Sequence, residues 1–335
     1  MSLSRARDAI TANDLDELVR VVDAMAADSS WDDLLSVRDL ARRAFDDTGR
    51  QMWPAASWAE YLIALRGPAE CVAEVLAPDA GFFAPGPLAE VAAQHHTWTE
   101  MRDVMMAGPT AALFAHERAA RGERIDEPVE ASDVLAVPLL RPAWEPQYAL
   151  PEYGLHGLDP FGPDRPSGRP IGGAQRRSPL DDDESAEAVE ALRLVTAHWA
   201  VDDRARVRCI AVDGDAATAI ASCSAESDAL GAPLSPQEAL IWLAWAAASD
   251  GGVTRRRGAA AGRDAAWHAA SVLAGFEPDE PYDVDELGEA LEELRWFWWA
   301  DRSGAVGHTL QLAVEDPVDR IAFAISAVVD VDDGV

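Results

Sequence analysis

Arginine is concentrated in one glycine-rich segment, which is where the sequence most clearly offers a binding chemistry. Residues 251–263 read GGVTRRRGAAAGR. The backbone N–H groups of the helix predicted over about 259–274 attract anions at its start, and arginine adds planar paired donors for phosphate or carboxylate. An anion site here is therefore one hypothesis. Its four arginines are Arg255, Arg256, Arg257 and Arg263.

The same segment has a second interpretation that involves no ligand. The protein carries 59 acidic residues, and runs such as those at 181–183 and 283–293 could neutralise the arginines within the fold. The small residues at 259–262 would then allow two helices to pack closely. The sequence leaves both interpretations open, and they differ in whether the arginines converge on an open concavity or meet acids of the protein.

Tryptophan is the second residue type whose placement suggests a site. Trp296 and Trp298 alternate along a predicted strand, where they would form the wall of a pocket with the arginines at its mouth. Tryptophan in an apolar strand is also typical of a core, in which each indole N–H donates to a carbonyl oxygen. The pocket wall is therefore a hypothesis that stands beside a purely structural role.

Catalytic motifs are weak in this sequence, and the absence of lysine removes several of them. All 28 basic residues are arginine, so the lysine of a phosphate-binding loop, a kinase or a Schiff base does not exist here. Asp213, Asp215 and Thr218 follow an apolar strand in an order similar to the phosphotransfer loop of haloacid dehalogenases, but the threonine lies one residue too far along. We instead expect Asp215 to cap a helix.

Metal, disulfide and cofactor chemistry is not expected either. The three cysteines, Cys71, Cys209 and Cys223, show no paired spacing, and the seven histidines form no metal-binding pair on a helix. The sequence therefore predicts no metal site and no cofactor, and it favours a protein without catalytic activity.

The net charge of −31 limits the partners of this protein. Such an acidic excess repels nucleic-acid phosphates and anionic lipid, so we expect no direct binding to either. No apolar run approaches the length of a membrane span, and no apolar segment typical of a signal peptide is found near the start. These features predict a cytoplasmic protein that has an acidic surface and binds a protein partner. They also allow a small anionic ligand.

Composition divides the chain into three parts. Residues 136–180 hold nine of the 21 prolines, which excludes regular elements of ordinary length. Residues 1–135 have a net charge of −12 and residues 181–335 of −20, whereas the stretch between them has +1. We therefore predict an all-α domain over 1–135, an aromatic-containing connector over 136–180, and an α+β domain over 181–335.

The predicted fold class is α+β, predominantly α. Apolar spacing in the first domain is helical throughout and favours an irregular array of HEAT- or TPR-like helix pairs. In the last domain, Ser235 and Glu238 form a predicted capping box that starts a helix at Pro236. Alternating apolar residues near the end of the chain predict a small sheet of three to four mostly antiparallel strands.

The segments LAWAAASDGGVTRRRGAAAGRDAAW, ELRWFWWADRSGAVGHTLQLAVEDP and IAFAISA resemble an uncharacterised protein family of high-GC actinobacteria. The resemblance lies mainly in residues 236–327. It implies a cytoplasmic bacterial protein and brings no activity and no catalytic residues with it.

Three functional hypotheses follow from the sequence. The first is a non-catalytic interaction or regulatory protein that presents an acidic surface to a protein partner. The second is an enzyme or sensor domain that binds a small phosphate- or carboxylate-bearing ligand at the arginine-rich helix start. The third is an acidic mimic of nucleic acid.

Overall fold

The computed structural model describes residues 3–77, 80–81, 83–158, 161–171, 174–200, 205–226, 228–249, 256–277, 280–302 and 308–329. The α-helices within these ranges are α1 (Leu3–Ala12), α2 (Leu15–Ala27), α3 (Trp31–Thr48), α4 (Trp53–Arg66), α5 (Ala69–Val75), α6 (Leu88–Ala92), α7 (Trp98–Met101), α8 (Pro109–Ala120), α9 (Asp183–Val195), α10 (Ala216–Cys223), α11 (Pro236–Ala248), α12 (Ala259–Leu273) and α13 (Val284–Glu293). The strands are β1 (Tyr153–Gly154), β2 (Gly157–Leu158), β3 (Arg169–Ile171), β4 (Ala205–Asp213), β5 (Ala229–Leu234), β6 (Arg295–Asp301), β7 (Thr309–Asp316) and β8 (Ile321–Val329).

Contacts divide the chain into two units. The first comprises Met1–Leu140 and Pro151–Pro160, and the second comprises Arg141–Leu150 and Phe161–Val335. Segments of the predicted connector therefore belong to both units. The reason is chemical: the aromatic and charged side chains of the connector pack onto the helices and strands of each unit.

The first unit is built around α4, which is buried on most of its surface. Ten of its residues are buried, namely Ala55, Ala56, Ser57 and the run from Ala59 to Leu65, because α2, α3, α5 and α6 all contact this helix. The neighbouring α2 is amphipathic, with buried Leu18 and Val21 on one face. Within the described part of residues 1–135 the regular elements are all helices, and β1 and β2 pair in the remaining segment of this unit. The domain bounds and the HEAT- or TPR-like pairing stay predictions.

The second unit contains a six-stranded sheet in the order β3-β5-β6-β7-β8-β4, and all of its neighbouring strands are antiparallel. The prediction of three to four strands was therefore too small. The strands that it missed are β5, whose sequence ALGAPL contains glycine and proline, and β3, which has only three residues. Neither shows the period-two alternation on which strand prediction depends, and both pair only because the neighbouring strand positions them.

Helices cover both faces of the sheet. On one face, α10 packs its Ile220 against a cluster that includes Val212 of β4 and Trp299 of β6. Side chains alternate along a strand, so Trp296 and Trp298 point to the opposite face. The helices α9 and α11 also contact the sheet, α9 at β4 and β8 and α11 at β5, β6 and β7.

The predicted capping box at the start of α11 is confirmed. The Ser235 side chain accepts from the Glu238 backbone N–H, and the Glu238 carboxylate accepts in return from the backbone N–H of Ser235 at 2.7 Å. The adjacent α12 packs against α11 at Gly262, where an added Cβ would lie only 2.3 Å from the carbonyl oxygen of Ala244. The small residues of this segment therefore serve close helix packing. Across the described ranges, no helix combines the length and apolar character needed to cross a membrane.

Candidate functional site

The structure separates the predicted anion-site arginines into different environments. Arg255 lies outside the described residues. Arg257 is exposed, whereas Arg256 is buried with its guanidinium carbon 4.7 Å from the ring centroid of Phe161, a cation–π contact. Arg263 is completely buried. These three described arginines therefore do not face one common surface.

The guanidinium of Arg263 is paired inside the second unit with the carboxylate of Glu145, which is also buried. Nε donates to Oε1 at 2.6 Å and Nη2 donates to Oε2 at 2.8 Å. The Tyr148 hydroxyl and the Trp267 indole N–H donate to the same Oε1 at 2.5 Å and 2.9 Å. Burial raises the pKa of Tyr148 well above its usual value, and the neighbouring carboxylate raises it further. The anion that Arg263 binds is thus an internal carboxylate.

The predicted pocket wall is part of the core of the second unit. Trp296 is buried and its indole N–H donates to the carbonyl oxygen of Leu291 at 3.2 Å. Trp298 is also buried, and an added Cβ on Gly168 would lie 3.0 Å from its ring. Neither tryptophan lines either of the two cavities described below.

Asp215 caps α10 as expected, because its side chain accepts from the N–H of Thr218 at 2.9 Å.

One cavity, which we call the histidine cleft, lies in the first unit and has a volume of about 480 Å³. Its walls are residues 65–67 at the end of α4, residues 94–96 after α6, and residues 153–154 of β1. The cleft brings together an exposed guanidinium, that of Arg66, and the two imidazoles of His95 and His96. Cationic side chains at this density are unusual for a protein with a net charge of −31.

Hydrogen bonds determine how the imidazole of His95 is protonated. The Gln94 side chain pairs with the backbone of Tyr153, accepting from its N–H at 2.7 Å and donating to its carbonyl oxygen at 3.1 Å. This orientation makes Nε2 of Gln94 a donor, and it lies 3.0 Å from Nε2 of His95. The His95 nitrogen must therefore accept, which assigns its proton to Nδ1 in the neutral ring. Nε2 of His96 lies 3.0 Å from the carbonyl oxygen of Gly67 and must donate.

The electrostatic field at His95 is positive. Burial lowers the pKa of this imidazole below its usual value, and the charges of His96, Arg121 and Arg66 lower it further. Two of these neighbours are arginines, whose guanidinium groups are cationic. Behind the cleft, the Tyr153 hydroxyl donates to the buried carboxylate of Glu90, which holds the ring in place.

A second cavity, which we call the methionine groove, is lined by residues within 70–77 and by residues 104–110 of the first unit. Its volume is about 700 Å³. The side chain of Met106 is 89% exposed, although methionine is apolar, and Met105 lies beside it. Two carboxylates, those of Glu70 and Glu74, lie one helical turn apart at the same groove.

The field on this side of the first unit is negative. Burial raises the pKa of the Cys71 thiol, and the carboxylates of Asp32, Glu74 and Glu70 raise it further. The first unit therefore presents two opposite environments, a cationic one at the histidine cleft and an acidic, apolar one at the methionine groove.

Sequence reasoning missed both cavities. His95 and His96 did not match a metal-binding spacing, and within the described ranges no group of three or more His, Cys, Asp or Glu side chains could hold a metal ion. The available signals were the pair of adjacent histidines before the Thr97 capping box and the adjacent methionines before Gly108-Pro109. Neither signal indicates which residues of other elements form the remaining walls of each cavity.

Comparison with family models gives one match, which extends over residues 16–330 and is described as a family of unknown function, DUF6183. A search of curated proteins and a search of solved structures find no match. The matched region takes in both units and extends well beyond the resemblance in residues 236–327. The chain therefore belongs to DUF6183, a family of unknown function.

Proposed function

We propose that this protein is a non-catalytic interaction protein of the cytoplasm, and that its first unit binds an apolar, positively charged segment of a protein partner. The observation that supports this function is the methionine groove, an open apolar surface with carboxylates beside it. The occupant to which we commit is a peptide segment with apolar anchors and Lys or Arg between them.

The apolar part of the groove favours a peptide side chain over a polar ligand. Met106 is 89% exposed, and transfer of its side chain and of its apolar neighbours from water to a partner is favourable. Methionine is flexible and polarisable, so it adapts to apolar side chains of different shapes. A volume of about 700 Å³ is of the size that binds one or two large side chains rather than a whole domain.

The acidic part of the groove favours a basic partner. Glu70 and Glu74 are exposed, and the field that they and Asp32 produce raises the pKa of Cys71. Lys or Arg residues of a peptide would complement these carboxylates, which increases the rate of association and helps to exclude acidic segments. The net charge of −31 adds a long-range attraction to any basic chain.

Selection from a random peptide-display library against the full-length protein tests this function. We expect the enriched peptides to combine apolar residues with Lys or Arg. Their binding to a double variant, Met105→Ser/Met106→Ser, should be at least about tenfold weaker, because the loss of two apolar side chains costs over 1.4 kcal/mol.

Two control variants separate groove binding from general attraction to an acidic protein. A second groove variant, Glu70→Gln/Glu74→Gln, removes the two carboxylates of the groove. Its control is Glu289→Gln/Glu293→Gln, which changes an exposed pair with the same spacing on α13. Val318→Ser is the control for the methionines, because Val318 is 78% exposed. The proposal requires the groove variants to weaken binding and the controls to leave it unchanged. If no peptides are enriched, or if groove and control variants behave alike, the proposal is wrong.

A further inference from the structure

We propose that the histidine cleft is a binding site for a small oxyanion, namely the phosphate or carboxylate group of a small molecule. The site is separate from the methionine groove and does not depend on the function proposed for it. Arg66 and His95 would contact the anion, His96 would lie beside them with its Nε2 held by Gly67, and Gln94 and Tyr153 would position His95.

Arg66 supplies the fixed positive charge of the site. It is the last residue of α4, and its side chain is exposed. Across the described ranges, no hydrogen bond or ion pair involves its guanidinium. This differs from Arg263, which is fully paired with Glu145. A guanidinium with open donors binds an oxyanion through two parallel hydrogen bonds.

The imidazole of His95 adds a directed donor. Nε2 of His95 accepts from Gln94, so Nδ1 carries the proton in the neutral ring, and within the described residues Nδ1 has no partner. Nε2 of His96 is held by the carbonyl oxygen of Gly67, which orients the ring. The anion would therefore meet an imidazole N–H and a guanidinium without prior rearrangement of the cleft.

A bound anion would also remove an electrostatic conflict. Arg66, Arg121 and His96 act on His95 and lower its pKa, although Arg121 also interacts with the carboxylates of Glu117 and Glu90 behind the cleft, and the hydroxyl of Tyr153 donates to Glu90. An anion among these groups favours the protonated imidazole. Protonation of Nε2 would break the contact with Gln94, so binding and proton uptake are linked and affinity should rise as the pH falls toward the lowered pKa of His95.

The size of the cleft and the charge of the protein define the ligand class. A volume of about 480 Å³ lies in the range of small-molecule sites. A nucleic acid would have to approach a protein with a net charge of −31, and its phosphates would be repelled everywhere except at this cleft. A small molecule with one anionic group is short enough to interact only with the charges of the cleft itself.

NMR titration of the full-length protein tests this site, with the imidazole C–H signals of His95 and His96 as the readout. The probes are inorganic phosphate and acetate, each compared with chloride at the same ionic strength. We expect saturable shifts of both histidine signals with at least one probe, an increase in the pKa of His95 on saturation, and weaker binding of acetate at pH 8 than at pH 6.

Arg66→Ala should weaken binding by about tenfold, which corresponds to the loss of a charged hydrogen bond. Arg7→Ala is the matched control, because Arg7 is another exposed arginine of the first unit and does not line the cleft. His95→Gln should reduce the pH dependence of acetate binding while leaving the fold intact. Titrations without saturable shifts at pH 6, or equal affinities in the two arginine variants, would overturn the proposal. Peptide binding at the methionine groove is unaffected by either outcome.

Discussion

The carboxylate of Glu145 and the guanidinium of Arg263 form a completely buried ion pair across 118 positions of sequence, with N–O distances of 2.6 and 2.8 Å. Tyr148 and Trp267 donate to the same carboxylate. A segment without secondary structure is thereby attached to α12 by a network in which the charge of the carboxylate is satisfied on several sides. Arg263 belongs to the anion site predicted from the sequence, but in the structure it binds the carboxylate of Glu145 and stabilises the fold.

Removal of the carboxylate should destabilise the second unit strongly. Glu145→Gln leaves the guanidinium of Arg263 buried without its counter-charge, and we expect the free energy of unfolding to fall by about 3–5 kcal/mol. Urea unfolding followed by tryptophan fluorescence measures this change. Glu190→Gln is the control, because Glu190 forms an exposed pair with Arg193 and should change stability by less than about 1 kcal/mol. Similar losses in both variants would contradict the assigned role of the pair.

The capping box of α11 should contribute measurably to stability. Ser235→Ala removes the side chain that accepts from the N–H of Glu238, and we expect a loss of about 1 kcal/mol in the free energy of unfolding. Ser30→Ala is the matched control, because Ser30 occupies the same position of α3 and its side chain makes no capping hydrogen bond. Chemical denaturation compares the two, and a loss as large at Ser30 would show that the hydrogen bond is not the cause.

Gly262 should not tolerate a side chain. An added Cβ would lie 2.3 Å from the Ala244 carbonyl oxygen and 2.6 Å from the Ala248 Cβ, so Gly262→Ala must push α12 away from α11. We expect a loss of about 1–3 kcal/mol despite the higher helix propensity of alanine. Gly154→Ala, where nothing lies within 4 Å of the added Cβ, should be close to neutral. Thermal unfolding checks both variants, and equal midpoints would refute close packing at Gly262.

The thiols of Cys209 and Cys223 should make the protein less stable at alkaline pH. Burial raises the pKa of Cys209 and of Cys223 to about 12, whereas thiols in an unfolded chain titrate near about 8.5. Above that pH the unfolded chain releases protons that the folded protein retains, so the free energy of unfolding falls as the pH rises toward 12.

The size of this alkaline effect can be measured between pH 8.0 and 9.5. Over this interval the two thiols together should cost about 2 kcal/mol. The variant Cys209→Ala/Cys223→Ala should lose that part of the pH dependence, whatever its stability at neutral pH. Urea unfolding at both pH values provides the comparison, and an unchanged pH dependence in the variant would show that these thiols are not the cause.

Local features of this protein were predictable because they depend on residues close in sequence. The capping box of Ser235 and Glu238 joins positions three apart, and the same holds for Asp215 and Thr218. The antiparallel pairing of β6, β7 and β8 followed from alternating apolar residues. Strand β5 was missed because its sequence contains glycine and proline, and only the neighbouring β6 makes it a strand.

The sequence by itself determined where helices begin, which residues are apolar enough to be buried, and that positive charge could come only from arginine and histidine. Only the tertiary structure decided how those charges are used. Arg263 meets Glu145 and His95 is oriented through Gln94 by Tyr153, and each of these relationships joins distant parts of the chain. The physical reason is that a charge acts on its neighbours in space through distance and burial, and neither is determined until the chain has folded.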